Sequence, residues 1–464
     1  MINTKRITVM AMLSTSIFIN VCAQDTALST TDSINDSTMP AQWDLQSCID
    51  YALKKNITIR KSRINVESSQ IDIKTAKAAL FPSLSFSMGQ NMVNRPYQES
   101  SSTVSGTEIL RSSSKTSYNA NYGLNASWTV YNGNKRLKTI EQEELNNQIA
   151  QLDVATSEKS IQESIAQIYI QILYATESVK INEHTLELSI AQRDRGKSLL
   201  DAGSIAESDF AQLEAQVSTD RYQLVTAQAA LQDYKLQLKQ LLELEGEQEM
   251  DLYIPTLADE NVLSPLPAKK DVYADALISR PEIEASKLNV KASELDIDIA
   301  KSGYYPSISL TAGIGTNHTS GSDFTFAEQV KNGWNNSIGL SVSVPIFNNR
   351  QTKSAVEKAK LQRETNMLSL LDEQKNLYKT IETLWLDANS AQQQYKAAQE
   401  KLKSAEISYT LVSEQFNEGM KNTVELLTEK NNLLQAQQEQ LQAKYMAILN
   451  TQLLKFYQGS ELKL

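Results

Sequence analysis

Cysteine is nearly absent from this chain, which has 464 residues and two cysteines, Cys22 and Cys48. The first lies in residues 1–23, where Lys5 and Arg6 precede an apolar segment and then small residues, an order typical of a secretory signal peptide that is removed. Cys48 is then the single cysteine of the mature chain, so an internal disulfide is excluded. The alternative is that Cys22 is lipidated, although "INVC" lacks the small residues expected before a lipidated cysteine.

The chain also has no long hydrophobic run and no excess of positive charge. No stretch approaches the ~20 apolar residues that a membrane-spanning helix requires. The formal net charge is −10 and becomes about −12 once the signal peptide is removed. Without a basic stripe, this acidic balance argues against a nucleic-acid partner. The polar, unpatterned residues 24–43 are predicted to form a flexible N-terminal tail.

Motifs that carry enzyme chemistry are missing as well. His184 and His318 are the two histidines of the sequence, and neither has ligand spacing to another histidine or a cysteine. This spacing argues against a metal site. There is no glycine-rich phosphate loop, "GxSxG" or "HExxH". We therefore predict that the protein is not an enzyme and uses no cofactor.

Glycine and proline are scarce, with 15 and 9 residues respectively. The segment from Asn134 to Leu200 has no proline and a single glycine, Gly196, and residues 349–416 have neither. Apolar residues recur there at helical spacing, so we predict two long helices, 133–200 and 349–416. At 1.5 Å per residue each reaches roughly 100 Å, a length that excludes a single globular domain and is typical of a rod or the wall of a tunnel.

What the sequence does contain is an internal repeat. "AKAALFPSLSFSMG" begins at Ala76, and "AKSGYYPSISLTAG" begins 224 residues later at Ala300. Two further segments recur at an offset of 216 residues, so the duplication covers most of the chain. Each repeat is predicted to run helix, two strands, long helix and shorter helix. The predicted parts are a first repeat at 44–245 with its shorter helix at 204–245, a connection at 246–269, a second repeat at 270–458 with its shorter helix at 420–458, and a C-terminal tail at 459–464.

Four stretches alternate strictly between apolar and small uncharged residues. In 120–130, for example, Leu124 and Trp128 point one way while Asn125 and Ser127 point the other. This pattern indicates strands of a membrane barrel, with lipid on one side and water on the other. A half-exposed soluble sheet is the alternative, although such a sheet usually carries lysine and glutamate on its wet side. The predicted strands are about 82–92, 118–131, 305–316 and 336–347.

Aromatic residues cluster at one end of these strands, as in the girdle that marks the membrane boundary of a barrel. Phe324 and Trp334 are candidates for the opposite boundary, near the polar loops 89–118 and 316–335. The predicted girdle consists of Phe81, Trp128, Tyr131, Tyr304, Tyr305 and Phe347.

A membrane barrel made from these strands requires more than one chain. Only a closed barrel hides every strand edge in lipid. Four strands cannot close, since about eight is the smallest working number. Neighbouring chains must therefore share the barrel: two copies give eight strands and three give twelve.

The order of these segments resembles the TolC-like outer-membrane efflux protein family. The resemblance rests on "LFPSL", then "WTVYNGNKR", then a long helix ending in "RGKSLLDAGSIAESDFAQLEAQ", all duplicated, and it covers residues 44–458. It implies a mainly α fold with a membrane β-barrel, in which a homotrimer shares twelve strands in outer-membrane lipid above a twelve-helix periplasmic tunnel. It also implies a periplasmic adaptor (membrane fusion) protein and an inner-membrane pump of the RND or ABC type. Such a channel is an exit duct for drugs, small molecules or proteins.

The resemblance further implies a gate at the periplasmic turns that begin the last helix of each repeat. Its turn glycines are Gly203 and Gly419, and Asp209 and Glu425 each lie six residues after one of them. Glu425 falls where the family has a constricting aspartate, and a ring of three such carboxylates favours cations. Lys421 falls at the place of a linking arginine and Phe416 at that of a tyrosine. The second expected aspartate position is Thr428, with Glu429 beside it.

The alternative role for Glu425 is structural. "NTVE" has the spacing of a capping box from Asn422 to Glu425, and "SIAE" at 204–207 has the same spacing. The sequence leaves gate and cap open.

Two other classes of function also remain open at this point. One is a soluble helical periplasmic adaptor or scaffold whose strands form a small sheet domain. The other is a shared barrel that acts as a porin without a pump.

Overall fold

A computed structural model describes residues 42–97, 101–105, 108–112, 116–245, 250–255, 262–320 and 324–462. The predicted signal peptide, most of the N-terminal tail and much of the inter-repeat connection lie outside these residues. The chain divides into two compact units. In the described part of the smaller unit, the amide of Trp43 donates to the carbonyl of Asp251 at 2.8 Å, and Trp43 forms a parallel bridge with Leu252. The larger unit contains all of the following elements.

The two halves of the larger unit repeat one order of elements, a helix pair, strands, a very long helix and a shorter helix. The first half consists of α1 (Leu45–Lys55), α2 (Ile57–Ala78), β1 (Ser83–Asn94), β2 (Ser101–Ser105), β3 (Glu108–Ser112), β4 (Thr116–Asn132), α3 (Lys135–Asp201) and α4 (Glu207–Leu241). The second half consists of α5 (Lys269–Ser279), α6 (Pro281–Lys301), a 3₁₀ turn (Ser302–Tyr304), β5 (Ser307–Thr319), α7 (Phe326–Asn332), β6 (Asn335–Ser343), α8 (Gln351–Asn417) and α9 (Thr423–Tyr457).

The first helix of each half is broken in two, at positions that correspond in the repeat. In the first half the Asn56 side chain caps α2 by accepting from the amides of Thr58 and Ile59. In the second half Pro281 occupies the first turn of α6. Proline has no amide hydrogen to donate to the helix before it, so α5 ends there and α6 begins.

The strands extend further into the loops than the sequence predicts, except at β6. β1 continues to Asn94 and β4 starts at Thr116, so these two strands take up both ends of the predicted loop 89–118. β6 ends at Ser343, short of the predicted end at 347. Pro345 follows, and proline cannot donate to a strand ladder.

Four strands form one antiparallel sheet in the order β1-β4-β5-β6. The pairing aligns residues of the two repeats in rows that cross the sheet. One row is Ser85, Asn125, Gly313 and Ser337, and the next is Leu84, Ala126, Ala312 and Ile338. Polar and apolar rows therefore alternate, each on its own face, and β1 and β6 are the edge strands.

The helices pack side by side in two layers that share the long helices α3 and α8. In the layer next to the sheet the order of contact is α2, α3, α6, α8, and in the distal layer it is α4, α3, α9, α8. One apolar cluster joins α5, α6, α8 and α9 through Val272, Ile283, Ile381 and Leu454. Among the helices that the structure describes, none has an apolar stretch of the length and composition needed to cross a bilayer.

Gly196 permits close packing of α3 against α4 near their connecting turn. A Cβ atom at this position would collide with Cδ1 of the buried Leu213. We expect Gly196→Ala to lower the thermal midpoint of the detergent-solubilised protein, because overpacking costs about 1–3 kcal/mol while the gain in helix propensity is about 1 kcal/mol. Circular dichroism at 222 nm measures this change.

The matched control is Gly89→Ala, since a Cβ at Gly89 meets no atom within 4 Å. A midpoint for Gly196→Ala at or above that of Gly89→Ala contradicts the assignment of Gly196 as a packing contact.

Candidate functional site

One face of the sheet is apolar and exposed. Leu84 and Phe86 on β1 are each 69% exposed, and Ile338 on β6 is 84% exposed. Exposed apolar surface of this kind is unfavourable in water by about 25 cal/mol per Å². The face therefore requires a non-aqueous neighbour, and it continues through Met88, Leu340 and Val342.

The opposite face consists of small polar side chains that bond across the strands. The hydroxyls of Ser83 and Ser127 share a hydrogen bond at 2.8 Å. A Cβ at Gly313 would lie 3.0 Å from Oγ of Ser337 and 3.2 Å from Oδ1 of Asn125, so this row is filled to its limit by serine, asparagine and glycine. The hydroxyls and amides of this face can form hydrogen bonds with water. Because the side chains are short, they extend little beyond the sheet.

A β-bulge interrupts the strict alternation near the end of β4. Thr129 pairs with Ser309 and Tyr131 pairs with Ile308, so the register passes over Val130. Strict alternation along β4 would place Val130 opposite Ile308, whereas the register places Tyr131 there. Arg136 stabilises the bulge by donating to the carbonyls of Thr129 and, at 2.8 Å, Ala79.

All six predicted girdle aromatics lie at the same end of the sheet. Antiparallel pairing places the starts of β1 and β5 beside the ends of β4 and β6, and the aromatics flank these termini. The indole of Trp128 donates to the Leu80 carbonyl at 2.7 Å. Five of the six side chains exceed one third exposure, namely Phe81, Trp128, Tyr304, Tyr305 and Phe347, and Tyr131 is half-buried. Their role at a membrane boundary stays a prediction.

The distal turns of both halves have the same backbone geometry. Gly203 and Gly419 have φ angles of 71° and 74°, in the left-handed region that glycine adopts without strain. After each glycine an amide bonds back across the helix end, from Ser204 to Leu199 and from Met420 to Gln415, at 2.8 Å in both cases. This is the hydrogen bond of a Schellman motif, so each long helix ends in a well-defined reversal.

Glu425 lies in the first turn of α9 and forms a complete capping box. Its amide donates to Oδ1 of Asn422 at 2.9 Å, and its carboxylate accepts from the Asn422 amide at 3.2 Å. Lys421 donates to the same carboxylate at 2.5 Å. The bond from Lys421, followed by that from Asn422, holds the pKa of Glu425 below its usual value. The carboxylate is thus fixed and charged while its side chain remains 41% exposed.

The turn of the first half has no such cap. The residue that caps α4 is Ala206, without a side-chain bond, so the predicted capping box from Ser204 to Glu207 is wrong. The reason is that α4 starts at Glu207, two residues later than a Ser204 cap would require. Asp209 is half-buried in the first turn of α4.

The two remaining predicted gate residues contact other parts of the α8–α9 pair. Phe416 is buried at the end of α8. The carboxylate of Glu429 accepts from the Ser408 hydroxyl at 2.8 Å, which ties α9 to α8. Of the predicted gate residues, the structure therefore brings Lys421 and Glu425 into direct contact, while Phe416 and Glu429 support the α8–α9 pair.

A buried polar cluster was missed by the sequence analysis. Lys430 on α9 donates to the Asp220 carboxylate on α4 and to the Ser189 hydroxyl on α3, and all three are at most 2% exposed. Gln216 adds a bond to the same carboxylate at 2.9 Å. Burial lowers the pKa of Lys430, and the bond with Asp220 opposes that shift. The detectable signal in the sequence is a lysine at an apolar stripe position, four residues after Leu426.

A second missed cluster surrounds Arg280, which precedes α6. Its guanidinium pairs with Glu163 at 2.9 Å and with Glu282 at 2.8 Å, and it lies 4.0 Å from the ring centre of Tyr457. Burial raises the pKa of Tyr457 to about 12. These contacts join α3, α6 and α9 where the two helical layers meet. Within the described part of the chain, no three histidine, cysteine, aspartate or glutamate residues are grouped as a metal site would need.

The fold and its two-faced sheet define a class of protein with membrane strands and a long helical body. The sequence model of the family described as "Outer membrane efflux protein" matches residues 48–243 and 272–460. The chain belongs to this family.

Individual relatives agree with this assignment. The chain is 23% identical over 414 residues to the "Probable efflux pump outer membrane protein TtgC" of Pseudomonas putida, covering 85% of this chain and 78% of the relative. It is 22% identical over 405 residues to the "Outer membrane efflux protein BepC" of Brucella suis, covering 87% and 83%. A solved structure of CusC, described as forming a transmembrane channel, superimposes with a TM-score of 0.75 at 20% identity over 91% of this chain and 93% of that one.

The protein is therefore an outer-membrane exit duct for efflux, located in the outer membrane and extending into the periplasm. The apolar face of the sheet is its lipid-facing surface, and the serine- and glycine-rich face lines the water-filled side.

The buried cluster gives a test of how the distal helices are held together. We expect Lys430→Met to destabilise the protein by about 3–5 kcal/mol, because it leaves the Asp220 carboxylate buried without its cation. The double variant Lys430→Met with Asp220→Leu is expected to recover most of this loss. Chemical unfolding of the detergent-solubilised protein, followed by circular dichroism, measures both.

The control is Lys401→Met, which removes an exposed pair with Glu439 at 2.8 Å. Solvent screens such a pair, so its removal has little effect. If the Lys401 and Lys430 variants lower the free energy of unfolding equally, the buried cluster does not stabilise the packing of α3, α4 and α9.

Proposed function

We propose that three copies of this chain close a twelve-stranded barrel in the outer membrane and continue it as a periplasmic tunnel of helices. Cargo then reaches this duct from an inner-membrane pump through a periplasmic adaptor protein. The observation that carries the proposal is the pair of open sheet edges on β1 and β6, beside which apolar side chains are exposed.

The open edges require pairing with another chain. Each backbone group left unpaired in hydrocarbon costs several kcal/mol. The four strands alternate in direction, so β6 of one copy would run antiparallel to β1 of the next, and the alternation continues around a ring. Head-to-tail contacts of this kind form a closed ring when the rotation from one copy to the next is a whole-number fraction of a full turn.

The edge helices also present apolar residues toward a neighbour. Ile57, Ile64 and Ile71 recur every seven residues along α2 and are 47%, 61% and 58% exposed. On α8, the other edge of the same layer, Leu361 and Leu368 are 64% and 63% exposed. Seven-residue spacing is typical of helices that pack along their length, so α2 of one copy is a suitable neighbour for α8 of the next.

The number of copies follows from what the barrel must contain. About eight strands enclose an interior that side chains fill, so two copies leave no duct. Twelve strands enclose a wider lumen, and the small polar residues of the inner face leave it open. Three copies are therefore the smallest ring that provides a passage.

Transport through such a duct needs an energy source elsewhere. The sequence has no nucleotide-binding loop, so an inner-membrane pump of the RND or ABC type supplies the energy, and an adaptor connects the two membranes. Drugs or other small molecules are the cargo in this scheme, since two relatives from Pseudomonas putida are an antibiotic efflux pump outer membrane protein and a toluene efflux pump outer membrane protein. The alternative, a porin without a pump, predicts that the solubilised protein does not co-purify with an adaptor from the membranes of its own cell.

The distal turn is the proposed gate. Glu425 is held in place by its capping box and by Lys421, and it is half exposed at the start of α9. Three copies would place three fixed carboxylates around the narrow end of the tunnel. Such a ring favours cations over anions.

Cysteine pairs test the ring of three. We expect Ser87→Cys on β1, combined with Ser343→Cys on β6, to cross-link on oxidation of the membrane-embedded protein, because their equivalents in the repeat, Thr311 and Ser127, pair across β5 and β4. The denaturing gel should show a ladder that ends at three chains, because each copy has one β1 edge and one β6 edge.

The single-cysteine variants are the controls, and the native Cys48 is buried. A ladder that ends at two chains, or no ladder with this pair, is incompatible with the trimer.

Two substitutions at Glu425 separate the gate from the cap. Glutamine keeps the capping box but removes the charge, whereas alanine removes both. If the carboxylate gates, Glu425→Gln and Glu425→Ala both lose cation preference in planar-bilayer conductance. If Glu425 only caps its helix, Glu425→Gln behaves as wild type and Glu425→Ala alone differs.

The acidic pH dependence provides an independent check of the same residue. The pKa of Glu425 lies below the ordinary value of 4.5, so the carboxylate stays charged as the pH falls to that value and becomes protonated only below it. The cation preference of the channel should therefore persist as the pH falls to 4.5 and be lost only at lower pH. Lys421→Ala removes the main cause of the lowered pKa and should shift the loss of preference to higher pH.

A further inference from the structure

The short helix α7, which precedes β6, is fixed to the outer end of β5. The Thr316 hydroxyl donates to the Val330 carbonyl at 2.8 Å, and the Thr319 amide donates to the Gln329 side chain at 2.9 Å. β6 begins at Asn335, opposite Gly315, so α7 occupies the part of the β5 edge that β6 does not reach. The helix is therefore held at a defined place on the sheet.

α7 lies at the edge of β5 and contacts side chains of the lipid-facing side of the sheet. Thr316 and His318 have the same parity along β5 as Leu310 and Ile314, which belong to the apolar face. The ring of His318 meets the ring of Phe326 edge to face, with 5.1 Å between centroids. Helix α7 thus packs on the continuation of the apolar face, beyond its last aliphatic residue.

The surface that α7 presents outward is aromatic and charged. Phe326 is 56% exposed and Trp334, just after the helix, is 57% exposed. Between them Glu328 is engaged in a capping box with Thr325, and Lys331 is also exposed. Aromatic rings together with charged side chains are typical of the boundary between acyl chains and head groups.

The position of α7 along the strand agrees with the thickness of a membrane. From the girdle residue Tyr305 to Thr316, a strand that rises about 3.4 Å per residue and is tilted by 35–45° spans about 25–30 Å. The apolar band of an outer-membrane barrel is about 25 Å tall. The chain therefore leaves the hydrocarbon where α7 contacts β5.

We propose that α7 is an interfacial anchor, which rests on the outer leaflet with Phe326 and Trp334 at the acyl–head-group boundary and sets the depth of the sheet in the membrane. The proposal rests on the outer-membrane location of the sheet and adds a lipid contact outside the strands. It names a partner of one chemistry, a lipid surface, because α7 continues the lipid-facing side of β5.

Tryptophan quenching tests this proposal on the full-length protein in vesicles. Lipids brominated near the head group report contact with the boundary, and iodide reports contact with water. Subtracting the emission of the Trp334→Phe variant from that of wild type gives the emission of Trp334. The same subtraction with Trp128→Phe gives the emission of Trp128, at the other end of the sheet. We expect the brominated lipid to quench both components and iodide to quench Trp334 weakly.

Three results would overturn the anchor. Quenching of Trp334 by iodide alone, with Trp128 quenched by lipid, places α7 in water, for example over the mouth of the duct. Quenching of Trp334 by neither agent shows that a neighbouring copy covers it. Absence of lipid quenching for Trp128 as well shows that the sheet does not lie in the membrane, so that the membrane barrel fails together with the anchor.

A labelled variant gives the same information without loss of a tryptophan. Asn332→Cys places one thiol at the exposed end of α7 for an environment-sensitive fluorophore. The native Cys48 is buried and its pKa is raised to about 12, so it stays unreactive during labelling. We expect the emission of the label to shift to shorter wavelength when the labelled protein passes from denaturant without detergent into vesicles. We also expect brominated lipid to quench this emission. A label that is quenched only by iodide contradicts the anchor.

Discussion

The unpaired backbone along β1 and β6 is the constraint on which the rest of the structure depends. A sheet of four strands in lipid has to complete its hydrogen bonds with other copies of itself, since hydrocarbon offers no substitute partner. Closure then fixes which sides of the strands meet lipid and which meet water. It also fixes where the edge helices α2 and α8 lie, because they continue from the same strands. The duplicated sequence supplies two hairpins of similar shape, so each chain contributes equal segments to the ring.

In the proposed gate, one residue at the distal end serves both helix stability and ion selectivity. Glu425 completes a capping box and also carries a charge that Lys421 holds in position. The position of a flexible side chain would vary within the passage, whereas a carboxylate held in a capping box has a fixed position. In the proposed gate, stability and selectivity favour the same residue type, which is why the sequence pattern alone could not separate the two roles.

The long helices, the strands and their two faces could be predicted from residue spacing, because each depends on local periodicity. Other features depend on distant contacts and could not. The bulge beside Val130 requires Arg136, which reaches back to Ala79 from the following helix. The cap at Ser204 failed because helix α4 starts later than its motif suggests. The buried ion pair needs Asp220 and Lys430, which are far apart in sequence and meet only when α4, α3 and α9 pack together.

That ion pair also breaks the likeness of the two halves. At the offset of 216 residues, Asp220 corresponds to Ala436 and Lys430 to Glu214, so the second copy of the motif has neither partner. A ring of three chains would contain three such ion pairs rather than six, each joining the α3/α4 hairpin of a chain to its own α9. Any widening of the tip is then expected to have threefold rather than sixfold symmetry, with the contacts between chains opening before those within a chain.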